Sequence, residues 1–352
     1  MVVDYHNEAF GLLHYPLQLL HLRHPGGMGV DVFFVLSGFL VGGLLVKEWK
    51  VKGRIDSKSF LVRRSFKIWP QYYVFLLCLI LSGRHTVREL WGNLLNIQNY
   101  VGGIAHTWSL AVEEHAYLLI LLILAVAARR KIRMRSLFLF LAGLCLAIDL
   151  LRLYLASRLI YVFYPTHTRV NAIFYGVLLA ILYHYAPEKF HRMQRWRVLW
   201  IGILVATLLY TSFQRGSWWD PSVSLDFADF SGIALLMLLY RHGEGKKYNW
   251  PYRVVAWIGL YSYGIYLWHV SVDAPVAAAA AHLPGWLAPL WRALAPMALG
   301  ILVGYATTRL IEIPMLKLRE KWFPRRVDSA VGIPAELEPR EPEAQQPEPQ
   351  GA

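Results

Sequence analysis

Apolar runs of about twenty residues recur along most of this chain, and they constrain its fold more than any other feature of the sequence. A run of that length crosses a hydrocarbon core of about 30 Å as a helix, because a helix satisfies its backbone polar groups internally. The clear runs cover approximately residues 28–46, 68–83, 108–128, 136–157, 168–185, 198–214, 225–240, 256–274 and 291–311. The pattern predicts an all-α fold, a polytopic integral membrane helical bundle.

The composition agrees with a membrane protein. Hydrophobic residues make up 56% of the 352 positions and charged residues 17%, against about 45–50% and 25% in ordinary soluble domains. A soluble globular enzyme is therefore disfavoured. The two cysteines, Cys78 and Cys145, lie inside apolar runs, which argues against a disulfide framework or a cysteine-based metal site. We predict no metal site.

The formal net charge of +13 raises the question of a nucleic-acid partner. However, 26 of the 36 Lys and Arg residues lie in alternate short connections, at 47–67, 129–135, 186–197, 241–253 and 312–326. Basic connections stay on the cytoplasmic side of a membrane. We therefore predict no nucleic-acid partner, a multi-pass protein of the cell (inner or plasma) membrane, and a cytoplasmic C-terminus.

The two ends of the chain differ from the rest. The segment Met1-Val-Val-Asp-Tyr-His6 reads like the middle of a helix, without a cap or a basic flank. We expect an upstream half-helix to complete it, giving about ten transmembrane helices with the first truncated here. After residue 326 the composition changes to Pro, Glu, Gln and Ala, which predicts a disordered cytoplasmic tail at 327–352 after a membrane domain at 1–326.

Ionisable groups at membrane depth are costly, so each is a functional candidate, with structural pairing as the competing explanation. His6, Asp31, Glu113 and His269 lie toward the predicted outer side. His6 is the candidate general base, because imidazole titrates near neutrality; the alternative is a buried histidine bonded to a neighbouring helix. Glu113 is the candidate acidic partner that orients it. Asp31 and His269 are candidates for supporting the site.

A basic segment, Arg63-Arg64-Ser-Phe-Lys67, lies toward the cytoplasmic side. Three cations within one and a half turns, opening a helix whose dipole favours anions, suit the phosphates of a nucleotide-like cytosolic co-substrate. Anchoring by the positive-inside rule is the alternative. Both interpretations stay open from this pattern alone.

Further polar and aromatic candidates stand at the outer ends of the spans. Trp108 and Ser109 begin one predicted helix, and Arg169 begins another. Trp108 also fits the aromatic belt of a membrane interface, and Arg169 fits either an ion-paired frame or a substrate contact. Tyr266 belongs to the aromatic segment that ends at His269.

Taken in order, these segments resemble the acyltransferase-3 family of polytopic membrane O-acyltransferases. The resemblance runs from residue 2 to about 318. It rests on Val3-Asp-Tyr-His6, Gly29-Val-Asp-Val-Phe-Phe-Val-Leu-Ser-Gly38, Arg63-Arg64-Ser-Phe-Lys67-Ile-Trp-Pro70, Trp108-Ser-Leu-Ala-Val-Glu113-Glu-His-Ala-Tyr117, Ser262-Tyr-Gly-Ile-Tyr-Leu-Trp-His269 and Ile311-Glu-Ile-Pro314.

The resemblance implies transfer of an acyl group, acetyl by default, from cytosolic acyl-CoA to a hydroxyl of a carbohydrate or glycolipid acceptor outside. Acyl-CoA is then a co-substrate, and no cofactor is bound permanently. His6 corresponds to the essential histidine, and Arg63, Arg64 and Lys67 to the motif on the CoA side. The family's arginine eleven residues before the histidine would precede Met1, and Lys67 stands where the family often has arginine.

Two other classes of function fit the same architecture. A transporter would use intramembrane charges without forming a bond, and a catalytically silent receptor would need no complete active site. Acyl-CoA-dependent product formation separates the enzyme from both. The sequence leaves the acceptor, the acyl length and the oligomeric state open.

Overall fold

A computed structural model describes residues 28–212, 217–240 and 250–324 of the chain. Within these ranges the chain is helical and contains no strand, which confirms the predicted all-α fold. His6, the rest of the predicted first helix and the tail at 327–352 lie outside the described residues. The α-helices of the described chain are α1 (Met28–Ser37), α2 (Gly43–Lys52), α3 (Ser57–Leu81), α4 (Trp91–Leu94), α5 (Gln98–Val101), α6 (Trp108–Arg129), α7 (Met134–Ser157), α8 (Thr166–Tyr185), α9 (Pro187–Gln194), α10 (Arg197–Ser212), α11 (Asp220–Leu239), α12 (Trp250–Trp268), α13 (Asp273–Ala280), α14 (Leu287–Thr307) and α15 (Ile313–Trp322).

Several of these helices are long and apolar enough to cross a bilayer. Five stretches of the described chain meet that condition, and a sixth does so if α8 and α9, bent by 117° at their junction, form one span. The five are Gly29–Lys52, Ala105–Arg129, Met134–Ser157, Asp220–Leu239 and Leu287–Trp322. A polytopic membrane bundle is thus confirmed, and the count of ten helices stays a prediction.

The centre of the bundle is a close crossing between the α1–α2 span and α8. A π-helical segment, Gly38–Gly42, joins α1 to α2. A Cβ atom added at Gly38 would overlap the backbone carbonyl of Ile173, and one at Gly176 would overlap that of Val35. Small residues therefore let these two backbones approach, as is common between membrane helices. This crossing sets the position of Asp31 and Ser37 relative to α8.

We expect Gly38→Ala to destabilise the bundle by about 1–3 kcal/mol, because the methyl group forces α1 away from α8. Thermal unfolding of the purified protein in detergent measures this. Gly143→Ala is the matched control, since a Cβ there meets nothing within 4 Å. Equal stability of the two variants would contradict the close crossing.

Helix α3 begins earlier than the sequence analysis predicts. Asp56 caps it, accepting a hydrogen bond from the Ser59 backbone N–H at 3.0 Å, and the helix runs on from Ser57. The prediction that the basic segment opens a helix is therefore wrong. Arg64 lies two turns inside α3, where the N-terminal dipole no longer contributes appreciably, and the segment reaches toward the middle of the bundle.

The connection between α3 and α6 folds back on the predicted outer side. The Asn93 side chain fixes it, donating to Thr107 Oγ1 at 2.8 Å and accepting from the Ile104 N–H at 3.1 Å. At its exposed start, the Thr86 N–H donates to Glu89 and lowers the pKa of that carboxyl. Hydrogen bonds thus fix both the start and the end of this connection, which packs beside the start of α6.

Candidate active site

Asp31, Trp108 and Arg169 form one buried cluster at the outer end of the bundle. Arg169 Nη2 donates to Asp31 Oδ1 at 2.5 Å, and both side chains are almost fully buried. The Arg169 guanidinium carbon lies 5.2 Å from the centroid of the Trp108 ring, which in turn contacts Phe34 edge-on. Three helices thus converge on one cation. Among the described residues, Nε and Nη1 of Arg169 have no hydrogen-bond acceptor.

Ser109, Tyr266 and His269 form a second cluster beside the first. Ser109 Oγ lies 2.6 Å from Tyr266 Oη, and Tyr266 Oη also donates to the carbonyl of His106. His269 Nδ1 lies 2.6 Å from the carbonyl of Tyr266, and since a carbonyl only accepts, this nitrogen carries a proton. The rings of His106 and His269 stand 5.3 Å apart. The structure therefore holds two oriented imidazoles at this level.

Glu113 lies one turn deeper on the same face of α6 as Ser109. Tyr117 Oη donates to Glu113 Oε1 at 2.7 Å, and Ser37 Oγ lies 2.6 Å from Tyr117 Oη. All three side chains are buried. A hydrogen-bonded chain therefore runs from α1 through Tyr117 to the carboxylate.

The basic segment meets this chain inside the bundle. The guanidinium of Arg64 lies 4.5 Å from the centroid of the Tyr117 ring. Arg64 and Lys67 both lie within electrostatic range of Glu113, and Lys67 also within range of Glu312, at the end of a π-helical segment. Arg63 and Arg64 are partly exposed and Lys67 is exposed. Glu113 thus stands between the basic segment and the outer clusters.

A third polar network crosses α7, α8 and α11. Its residues are not among the candidates predicted from the sequence. Arg152, fully buried, donates to Asp149 at 2.9 Å, to Asp229 at 3.4 Å and to Asp226. The Asn171 side chain donates to Asp149 and Asp229 at 2.7 and 2.9 Å. Carboxylate oxygens of the three aspartates lie within 4.8 Å of one another, and the arginine serves as their common counterion.

Some of these residues carried a signal in the sequence. Asp149, Arg152, Asp226 and Asp229 are ionisable residues inside or beside predicted spans, which by itself marks them as candidates. Tyr117 follows Glu113 by four residues, and such a pair shares a helix face. The hydrogen bond of Ser37 with Tyr117 had no comparable signal in the sequence, because it depends on how α1 crosses α6.

We expect Tyr117→Phe to reduce activity without unfolding the protein, since it removes only the hydroxyl that links Ser37 to Glu113. A buried carboxylate that loses a hydrogen bond is destabilised by about 1–3 kcal/mol, which corresponds to a loss of about 5–150-fold in turnover. Steady-state kinetics of acyl transfer measure it. Tyr154→Phe, at an exposed position on α7, is the control, and equal rates for both variants would contradict a role for the chain.

Comparison with known proteins shows the family of this chain. A family model described as an acyltransferase domain, that of the acyltransferase-3 family, matches residues 5–309. The chain belongs to this family. The match covers the clusters from Asp31 on α1 to His269, and it ends at residue 309, within the second π-helical segment and before Glu312.

The relatives of this chain include named bacterial enzymes. The peptidoglycan O-acetyltransferase OatA of Listeria monocytogenes is 25% identical over 333 residues, covering 83% of this chain and 51% of the relative. A Staphylococcus aureus protein provisionally named an O-acetyltransferase is 27% identical, covering 83% and 53%. YrhL of Bacillus subtilis, provisionally named a peptidoglycan O-acetyltransferase, is 28% identical, covering 70% and 44%. The chain thus spans about half the length of these relatives, and no solved structure matches it significantly.

Proposed function

We propose that this protein is a membrane O-acetyltransferase that takes an acetyl group from cytosolic acetyl-CoA and delivers it to a sugar hydroxyl of peptidoglycan outside the membrane. The observation that supports it most is the line of polar groups along α6. Tyr117, Glu113 and Ser109 succeed one another at intervals of four residues, over about 12 Å of helix. The line begins at Arg64 and ends beside Arg169 and His269.

The donor side of the proposal rests on charge. CoA carries several phosphate charges, which favour Arg63, Arg64 and Lys67 and the cytoplasmic side that the basic connections define. Lys67 is exposed, and it lies where a phosphate or the start of the pantetheine arm can reach it. The thin arm then carries the thioester along α6 toward the outer clusters.

The acceptor side rests on the relatives and on the outer clusters. Two of the relatives are named for peptidoglycan O-acetylation, and a glycan strand meets the protein from outside. In the proposed reaction His6 takes the proton of the acceptor hydroxyl while the hydroxyl oxygen forms a bond to the carbonyl carbon of the acetyl group. The carbon–sulfur bond breaks, and the CoA thiolate receives the proton that His6 took from the hydroxyl, which returns His6 to its neutral form. The free N–H groups of Arg169 stabilise the oxyanion.

A second form of the reaction passes through an acetyl-histidine. It predicts a burst of CoA release in the absence of acceptor, whereas direct transfer predicts no burst. The proposal adopts direct transfer, so a burst equal to the amount of protein would contradict that step and leave acetyl transfer itself intact.

Binding of acetyl-CoA tests the donor side. We expect Arg64→Gln and Lys67→Gln each to weaken binding about 10–150-fold, because each loses a charge-assisted hydrogen bond of about 1.5–3 kcal/mol. Equilibrium binding of acetyl-CoA to the purified chain in detergent measures this. We also expect raised salt to weaken the binding of acetyl-CoA to the parent. Lys58→Gln is the control, because Lys58 is an exposed cation on the same helix. If all three variants bind alike, the cations serve only as positive-inside anchors.

A further inference from the structure

The outer loop at residues 158–165, between α7 and α8, presents a group of exposed aromatic rings. Tyr161 is 56% exposed, Phe163 37% and Tyr164 39%. The Tyr164 ring lies 5.2 Å from the ring of Trp108 and 5.1 Å from that of Tyr161. These rings form a continuous surface from the outside of the protein to Trp108, which we name the aromatic rim (Trp108, Tyr161, Phe163 and Tyr164).

The aromatic rim is held in place by hydrogen bonds on both sides. The Thr168 hydroxyl lies 2.8 Å from the carbonyls of both Val162 and Pro165, and Val162 is buried. The Asn99 side chain, in the outer loop before α6, donates to the Tyr164 carbonyl at 3.3 Å and to Thr166 Oγ1 at 2.8 Å. The loop is therefore ordered before any ligand arrives, which lowers the entropic cost of binding.

The inner end of the aromatic rim leads to hydrogen-bond donors that have no acceptor in the described part of the chain. Arg169 packs beside Trp108 at 5.2 Å, is 2% exposed, and has no acceptor for Nε and Nη1 among the described residues. Buried donors without an acceptor are costly and uncommon in folded proteins. Beside the aromatic rim, these donors are placed to bond to an oxygen atom of a ligand.

We propose that the aromatic rim is the sugar subsite for the acceptor, in which a pyranose ring of a glycan strand stacks on Tyr164 and places its reacting hydroxyl toward Arg169. The inference rests on the proposed function and adds the residues that select its substrate class. The C–H face of a pyranose packs on the electron-rich face of an aromatic ring, and the phenol hydroxyl bonds to sugar hydroxyls. Arg169 offers N–H groups to the oxygens of the reacting end.

A membrane-interface belt is the competing explanation for exposed aromatic residues. Tyr154 provides the comparison, because it is as exposed as Tyr161, lies at the outer end of α7, and contacts the guanidinium of Arg158 without touching Trp108. Exposure alone therefore does not distinguish a belt residue from a sugar-stacking residue. Their positions relative to Arg169 distinguish them.

The test compares Tyr164→Ala, Tyr164→Phe and Tyr154→Ala in the full chain. We expect Tyr164→Ala to raise the KM for soluble, uncrosslinked peptidoglycan strands about tenfold, with the KM for acetyl-CoA unchanged. Tyr164→Phe keeps the stacking face and stays within about threefold of the parent, and Tyr154→Ala is unchanged. A tenfold change corresponds to a stacking contribution of about 1.4 kcal/mol.

Binding of the same glycan strands without acetyl-CoA gives the second readout. Loss of binding in Tyr164→Ala, with no acetyl transfer by the parent, would support the subsite and overturn the proposed reaction. Acetyl transfer by the parent with the same glycan KM in Tyr164→Ala would overturn the subsite and leave the reaction intact. An equal rise of KM in Tyr154→Ala would assign both tyrosines to the interface belt.

Discussion

Arg152→Met is expected to lower the free energy of unfolding by about 3–5 kcal/mol, because it leaves buried carboxylates without their counterion. Arg152 is fully buried and contacts Asp149, Asp226 and Asp229. Methionine keeps the volume of the side chain and removes the charge. Thermal or denaturant unfolding in detergent measures the change.

Two further variants make the result specific. Arg158→Met replaces an exposed arginine just after the same helix and should change stability by no more than about 0.5 kcal/mol. Adding Asp229→Asn to Arg152→Met removes one unpaired carboxylate and should recover part of the loss. If Arg152→Met is as stable as the parent, the network does not hold α7, α8 and α11 together.

Arg169→Gln is expected to lower kcat for acetyl transfer about 10²–10³-fold, the range seen when a donor to a developing oxyanion is removed. The affinity for acetyl-CoA should be unchanged, because in the proposed reaction the CoA phosphates bind at the other side of the membrane. The amount of O-acetylated glycan formed at a series of fixed reaction times measures kcat.

The single variant leaves Asp31 buried and unpaired, so the double variant Asp31→Asn with Arg169→Gln separates folding from chemistry. It restores neutrality at the ion pair and should bind acetyl-CoA like the parent. Recovery of the rate in the double variant would assign Arg169 a purely structural part and contradict its contact with the reacting oxygen.

The positions of the helices were predictable from hydropathy, because a bilayer imposes length and apolarity on each segment separately. Each of the nine predicted runs overlaps a helix of the described chain. The start of α3 was not predictable in this way. Its first two turns mix polar residues with Phe60, Leu61 and Val62 and lie before the apolar run at 68–83, and the Asp56 cap that begins them is a local hydrogen bond.

The contacts between candidates were less predictable than the candidates themselves. The cost of an ionisable group in a membrane identifies Asp31 and Arg169 separately, whereas their ion pair joins residues 138 positions apart. Arg152 and Asp229 are 77 positions apart. Such pairs depend on helix crossings, which depend on close approaches such as that at Gly38, and one sequence does not specify them. The role of His6 stays a prediction, because it lies outside the described residues.

Acceptor-dependent release of free CoA from acetyl-CoA tests the central claim most directly. The purified chain, His6→Ala and a chain extended to any upstream in-frame start are each supplied with peptidoglycan strands. We expect release that requires the glycan and falls about 10²–10⁴-fold in His6→Ala, because a general base is lost. No release by folded protein that binds neither acetyl-CoA nor the glycan would contradict it and favour a transporter or a receptor of the same architecture.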